Sequence, residues 1–251
     1  MSKKIKIGLI GLGHLGKIHL ELIRQIDYFV LSGIYDIDVK RAKSFAEKFN
    51  VKKYENIEKL ILESDAIDIV TPTDTHYNIA SKCIKSNKHI FIEKPLTKTL
   101  SEAQKLIDLI TNKKIVAQVG HIERFNPAFK SVKSLITNPL FIESHRLAEF
   151  NPRGTDVSVV LDLMIHDIDI ILTLIDSKIK TISGVGVPVI SKTPDIANVR
   201  IEFENKAVVN LTASRISLKS MRKTRVFQKD TYISINYLNK EVEVLKIKNA
   251  P

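Results

Sequence analysis

The sequence predicts an α/β protein with two parts: a doubly wound parallel sheet over residues 1–121, then an α+β domain over residues 122–251 carrying a large, mainly antiparallel open sheet. Three observations predict it. Apolar runs alternate with amphipathic helical patterns through the first half, as buried parallel strands joined by crossover helices require. From about Ile179 the pattern becomes consecutive strands with short turns. The opening run "IKIGLIGLGHLG" places four of the nine glycines of this 251-residue chain between Gly8 and Gly16.

Taken in order, Ile5–Ile10 reads as a buried strand and His14 to Gln25 as the helix after it. Val30–Asp36 is the second strand, and Ala42, Phe45, Ala46 and Phe49 give the next segment a helical stripe. A short helix "IEKLILE", strand "AIDIVTPT", helix "HYNIASKCIKS", strand "HIFIEKP", helix "LSEAQKLIDLIT" and strand "IVAQVGHI" complete the first part. The second opens on "NPAFKSVKSLI", with Asn126 as N-cap and Pro127 as first helical residue. A strand "LFIESHRLAEF", a polar loop "NPRGTD" and a helix "VVLDLMIHDIDIILTLI" follow. Turns such as "FENK" and "FQKD" then separate the strands of the antiparallel sheet, with helices expected on one of its faces.

Composition narrows the function. With 44% hydrophobic and 27% charged residues the chain can bury a sizeable core. It holds no apolar window of about 18 residues, so no membrane association is expected. The lysines before the first apolar run resemble a signal sequence, but the run is short, broken by glycine and lacks a cleavage site. The single cysteine, Cys83, suits a reducing cytoplasm. The net charge of +11 is spread over most helices, and tryptophan is absent. That favours an anionic cofactor or substrate over nucleic acid.

The glycine cluster has a specific reading. "GLGHLG" places Gly11, Gly13 and Gly16 between a buried strand and a helix, with His14 and Leu15 inside the turn. The first glycine permits the tight turn, the second admits a pyrophosphate, and the third lets helix and strand pack closely, which makes the first part a Rossmann domain. Asp36, closing the second strand, can accept hydrogen bonds from ribose hydroxyls and repels a 2′-phosphate. NAD is therefore favoured over NADP, although Lys40 and Arg41 lie close by.

A nicotinamide cofactor needs a partner that moves a proton. Lys94, in "IEKP", sits at the carboxyl edge of the parallel sheet, where ligands bind in such folds, and the bond to Pro95 is a candidate cis peptide. Asp162 and His166, four apart in "DLMIH", fall on one face of a helix, and histidine titrates near neutrality. Both lie in otherwise apolar elements, where polar residues are costly unless engaged. Asp167 and Asp169 leave open which carboxylate matters. His76 and His121 are candidates for the edge of the cleft; His14, His19, His89 and His145 have no chemical context of their own and read as structural. No third ligand stands at sensible spacing from Asp162 and His166, so no metal is expected.

The ordered set "GLGHLGKIH", "TPTDTHYNIA", "IEKPLT", "GHIERFNPA" and "DLMIHDID" resembles the Gfo/Idh/MocA oxidoreductase family over nearly the whole chain. The resemblance implies NAD(P)-dependent oxidation or reduction of a sugar or cyclitol hydroxyl. It makes Lys94 the catalytic lysine, His166 the acid/base and Asp162 its companion. The implied cofactor-binding set is Gly11, Gly13, His14, Leu15, Gly16, Asp36, Thr71, Pro72, His76, Glu93 and Lys94. "GHIERFNP" and the run from Arg215 to Leu238 are most similar to sugar-nucleotide 3-dehydrogenases, which implies UDP-N-acetylglucosamine or its uronic acid as substrate. The basic residues Arg215, Lys219, Arg222, Lys223 and Arg225 suit a diphosphate, or else a solvated sheet edge. The open sheet implies a homodimer or homotetramer. The family continues for some tens of residues past its last strand, so a chain ending at "KIKNAP" is expected to be truncated.

Overall fold

The computed structural model describes residues 4–151 and 157–247, so most of the expected polar loop "NPRGTD" and the last residues fall outside the described part. The chain divides into two compact units that meet in sequence at Gly120 and His121.

The first unit is a five-stranded parallel sheet in the order β2-β1-β3-β4-β5. The strands are β1 (Ile5–Ile10), β2 (Phe29–Tyr35), β3 (Ala66–Ile69), β4 (His89–Ile92) and β5 (Ala117–Val119). Helices α1 (His14–Ile23) and α2 (Val39–Phe49) cover one face, closing a core around Leu9, Leu20, Ile34 and Ala42. Helices α3 (Ile57–Glu63), α4 (Thr73–Lys85) and α5 (Leu100–Ile110) cover the other, around Ile61, Ile67, Ile69, Ala80 and Ile84. Two covered faces explain the lack of polar side chains from Ile7 to Ile10 of β1, where every residue is buried.

Most of these helices have a side-chain cap. Asp38 accepts the Arg41 N–H at the start of α2, and Asn56 accepts that of Lys59 at α3. Thr99 and Glu102 form a reciprocal capping box on α5. Replacing Thr99 with alanine orphans the Glu102 N–H and should lower stability by about 1 kcal/mol, read as a shift in the urea midpoint with unchanged slope.

The second unit is a seven-stranded sheet in the order β12-β11-β10-β6-β9-β8-β7. Its strands are β6 (Phe141–Leu147), β7 (Ile179–Val187), β8 (Ile196–Phe203), β9 (Val208–Ser214), β10 (Met221–Gln228), β11 (Thr231–Asn236) and β12 (Glu241–Lys246). All neighbours run antiparallel except β6 and β9. Helices α6 (Pro127–Val132) and α7 (Ile165–Leu174) contribute Phe129, Val132, Ile170 and Ile171 to a core with Ile142, Val209, Leu211, Val226 and Ile233. The alternation of buried and half-buried residues along β6 shows one face packed and one open.

Two expected elements differ. The first helix of this unit ends at Val132 and tightens into a 3₁₀ turn, Lys133–Leu135. The single helix expected through "VVLDLMIHDIDIILTLI" opens as a π turn at Val160–Met164 before α7 begins. An inserted residue widens that turn at the segment bearing Asp162, a distortion that hydrophobic periodicity does not encode.

Candidate active site

In the first unit the glycine turn is built by close backbone approach. Gly11 has φ of +95°, and a Cβ there would lie 2.3 Å from the Val70 carbonyl oxygen. A Cβ on Gly16 would lie 2.0 Å from the Gly11 carbonyl oxygen, so α1 can seat against the turn only without one. Gly13 is the opposite case: a Cβ there meets nothing within 4 Å. Unlike α2, α3, α5 and α6, α1 has neither a side-chain cap nor an acidic residue in its first turn. Gly13, His14 and Leu15 are all exposed there. The N–H groups of the helix start thus face open space with a favourable dipole, a fit for the pyrophosphate of a dinucleotide. Gly16→Ala should separate helix from turn, destabilise by about 3 kcal/mol and weaken NAD binding, readable by thermal melting and calorimetry.

Asp36 is buried at the end of β2. Its Oδ2 accepts the Leu12 N–H at 2.8 Å, and its Oδ1 accepts that of Asp38 at 2.8 Å. The half-exposed Arg41 guanidinium stands 3.3 Å from Oδ2. Asp36 therefore braces the glycine turn directly, and its Oδ1 keeps acceptor capacity beyond the bond from Asp38.

Thr71 and Pro72 lie between β3 and α4, with the Thr75 hydroxyl 2.7 Å from that of Thr71. His76, expected at the edge of a cleft, is instead 1% exposed. Its ring nitrogens sit 2.9 Å from the carbonyl oxygens of Pro95 and Thr71. Buried and doubly engaged, it ties the loop after β3 to the loop after β4 rather than presenting a side chain to a ligand. Lys94 is half-buried, directly past β4, and the Lys94–Pro95 bond is cis. The Glu93 carboxylate accepts the Lys94 backbone N–H at 3.2 Å and turns inward to His19 Nε2 at 3.3 Å. His19, read from sequence as structural and without context, is held between two acids: its Nδ1 is 2.8 Å from Asp68. Those partners are 49 and 74 residues away in sequence, so nothing local signalled them.

In the second unit a cleft of about 330 Å³ is lined by Asp162, Glu149, Asn151, Leu163, Arg215 and Ser220. His166 is the second residue of α7, one turn beyond Asp162. The competing carboxylates are committed elsewhere. Arg146, 2% exposed, donates through Nε and Nη2 to both oxygens of Asp167 at 2.9 Å, and through Nη2 to Glu123 at 3.2 Å. Burial alone disfavours the guanidinium, but the charges of Asp167 and Glu123 outweigh it and raise its pKa. Asp169 is clamped by Arg124 at 2.7 and 2.6 Å, with His121 Nδ1 at 3.6 Å. Of the three aspartates in this segment, Asp162 is the one that lines the cleft, together with Glu149.

Of the basic run, Arg215 and Arg225 are held by acceptors of the protein itself, while Lys219 and Arg222 are exposed. Arg215 is buried, donating to Asp195 at 2.9 Å, to the Val157 carbonyl at 2.9 Å and to the Thr193 hydroxyl at 2.7 Å. Burial would raise the Asp195 carboxyl, but three backbone N–H groups from Val189, Ile190 and Ser191, with Arg215, hold it well below the usual carboxylate range. Arg225 pairs with Glu143 at 2.9 Å. Both guanidinium groups are engaged by the protein's own acceptors, Arg215 while it also lines the cleft.

Comparison with known proteins fits this geometry. The model of the oxidoreductase family with an NAD-binding Rossmann fold (GFO/IDH/MocA) matches residues 5–121, and that of the GFO/IDH/MocA C-terminal domain matches residues 131–232. The chain belongs to the GFO/IDH/MocA oxidoreductase family. Its first unit is the family's NAD-binding Rossmann fold. Over 241 residues it is 34% identical to UDP-N-acetylglucosamine 3-dehydrogenase of Acidithiobacillus ferrooxidans, an alignment that takes in 96% of this chain and 76% of that protein. A solved structure of that enzyme superposes with a TM-score of 0.92 at 33% identity, over 100% of this chain and 84% of the other. The scyllo-inositol 2-dehydrogenase (NAD(+)) of Bacillus subtilis is 29% identical, covering 86% of this chain and 69% of that protein.

Proposed function

We propose that this family member oxidises the 3-hydroxyl of UDP-N-acetylglucosamine or of its uronic acid with NAD. The observation that carries the reading is the 34% identity to a UDP-N-acetylglucosamine 3-dehydrogenase across 96% of the chain. When bound, NAD supplies the hydride acceptor. The glycine turn and the open start of α1 hold its pyrophosphate, and Asp36 its adenosine ribose. Lys94 and His166 are assigned to the reacting hydroxyl: one takes its proton while the other donates to the oxygen as the carbonyl develops. Asp162 orients His166. The polar lining of the cleft, with Asn151 and Ser220 beside Asp162, suits a ligand rich in hydroxyls.

A second reading is an inositol or hexose dehydrogenase, supported by the relative acting on scyllo-inositol and by Arg215 and Arg225 being engaged within the sheet. A third is an NAD- or sugar-sensing regulator without catalysis, which turns nothing over. A panel of UDP-N-acetylglucosamine, its uronic acid, myo-inositol and simple hexoses, each with NAD and NADP, separates all three by NADH absorbance. The nucleotide sugars should be the preferred substrates, with NAD preferred to NADP.

We also place the protein in the cytoplasm, as a homodimer or homotetramer joined through the open sheet. Support comes from the one cysteine being a buried thiol and from Phe141, Phe227 and Tyr232, whose rings pack tilted at 5.8 and 5.1 Å between centroids on the open face. Light scattering of the purified chain should give two or four subunits.

A further inference from the structure

We propose that His19 is a positioning residue for the reaction, holding Glu93, and through Glu93 the backbone of Lys94, by bonds that need both ring nitrogens to carry a proton. The inference rests on the assignment of Lys94 above, and its observations are independent of the sugar. His19 projects from α1 between two carboxylates: Asp68 on β3 at 2.8 Å from Nδ1, and Glu93 past β4 at 3.3 Å from Nε2. The edge of Phe91, on β4, packs against the ring at 5.9 Å between centroids. The charged groups facing the imidazole are thus Asp68 and Glu93, one from each neighbouring strand, and its own helix adds none.

Glu93 splits its two oxygens. One faces His19, and the other accepts the N–H of Lys94. The space for this carboxylate is made by Gly120, where a Cβ would come within 2.9 Å of Oε1. The arrangement converts a charge on α1 into a fixed position for the residue that begins the Lys94 loop.

Protonation decides whether the link holds. A neutral imidazole has one N–H and can donate to one carboxylate. Burial disfavours the charged ring, but the hydrogen bonds to Asp68 and Glu93, together with their charges, outweigh it and push its pKa up to about 9. The clamp is therefore complete below the ordinary histidine value and is lost as pH rises through about 9. Asp68, with the shorter bond, keeps the remaining N–H, and Glu93 is released.

Nuclear magnetic resonance of the full chain without substrate tests this. The His19 ring and the Lys94 backbone amide should titrate together with a midpoint near pH 9. In His19→Gln the Lys94 step should vanish, and kcat should fall about 10- to 100-fold with KM for NAD unchanged. His19→Arg, which can hold both carboxylates without titrating, should restore kcat and remove the alkaline step. A Lys94 amide that ignores the His19 titration, or a His19→Gln variant with wild-type kcat, overturns the proposal. Since the titration uses no sugar, a failed substrate assignment leaves it readable.

Discussion

Lys94→Ala should reduce turnover by about 10²- to 10⁴-fold while NAD affinity, measured by calorimetry, stays unchanged. The loop around this residue is fixed from two sides: Glu93 accepts its backbone N–H, and His76 holds the Pro95 carbonyl. Neither of those anchors involves the side chain that the substitution removes, so the loop and the glycine turn should persist. What disappears is the cation at the carboxyl edge of the parallel sheet that the proposed function assigns to the negative charge developing on the substrate oxygen. Lys94→Arg should not restore the rate, because a planar fork replaces a compact ammonium on a different stem. Wild-type turnover in Lys94→Ala would remove this residue from the reaction.

The largest loss of stability should come from Arg146→Met. Arg146 pairs with two carboxylates, Asp167 and Glu123, in the interior of the second unit, and its guanidinium lies 5.9 Å from the Tyr237 ring. Methionine fills much of the volume but leaves two buried acids facing each other without a cation. Breaking a buried pair in this way costs about 3–5 kcal/mol, which for a unit of this size lowers the melting temperature by roughly 10 °C or more. The same change loosens the start of α7, where Asp167 follows His166 in sequence, so catalysis should fall together with stability. A variant melting like the wild type would mean that the acids find other partners. Restoring neutrality with the triple change Glu123→Gln, Arg146→Met and Asp167→Asn should recover part of the loss.

What was readable in the chain depended on the range of the interaction. The Rossmann half was legible because its determinants are local: apolar strands with two covered faces, and three glycines whose spacing answers to one turn. The antiparallel half was legible as strands because several of them, such as β6 and β9, have one open face and therefore alternate. Its order was not, since β6 sits between β9 and β10, strands that come 67 and 80 residues after it as counted from Phe141 to Val208 and Met221. The same limit governs the site. Asp162, Asp167 and Asp169 look alike in "DLMIHDID", and it takes Arg146 and Arg124, distant in sequence, to draw Asp167 and Asp169 into ion pairs while Asp162 lines the cleft. The π turn at Val160–Met164 and the pairing of His19 with Asp68 and Glu93 are likewise properties of packing.

The central claim, hydride removal from a sugar carbon beside the glycine-turn cofactor, is tested most directly with UDP-N-acetylglucosamine carrying deuterium at carbon 3. Mass spectrometry of the reduced cofactor after incubation with NAD should find the deuterium on the nicotinamide ring. Reduced cofactor without the label, or none formed with either nucleotide sugar, would contradict the account.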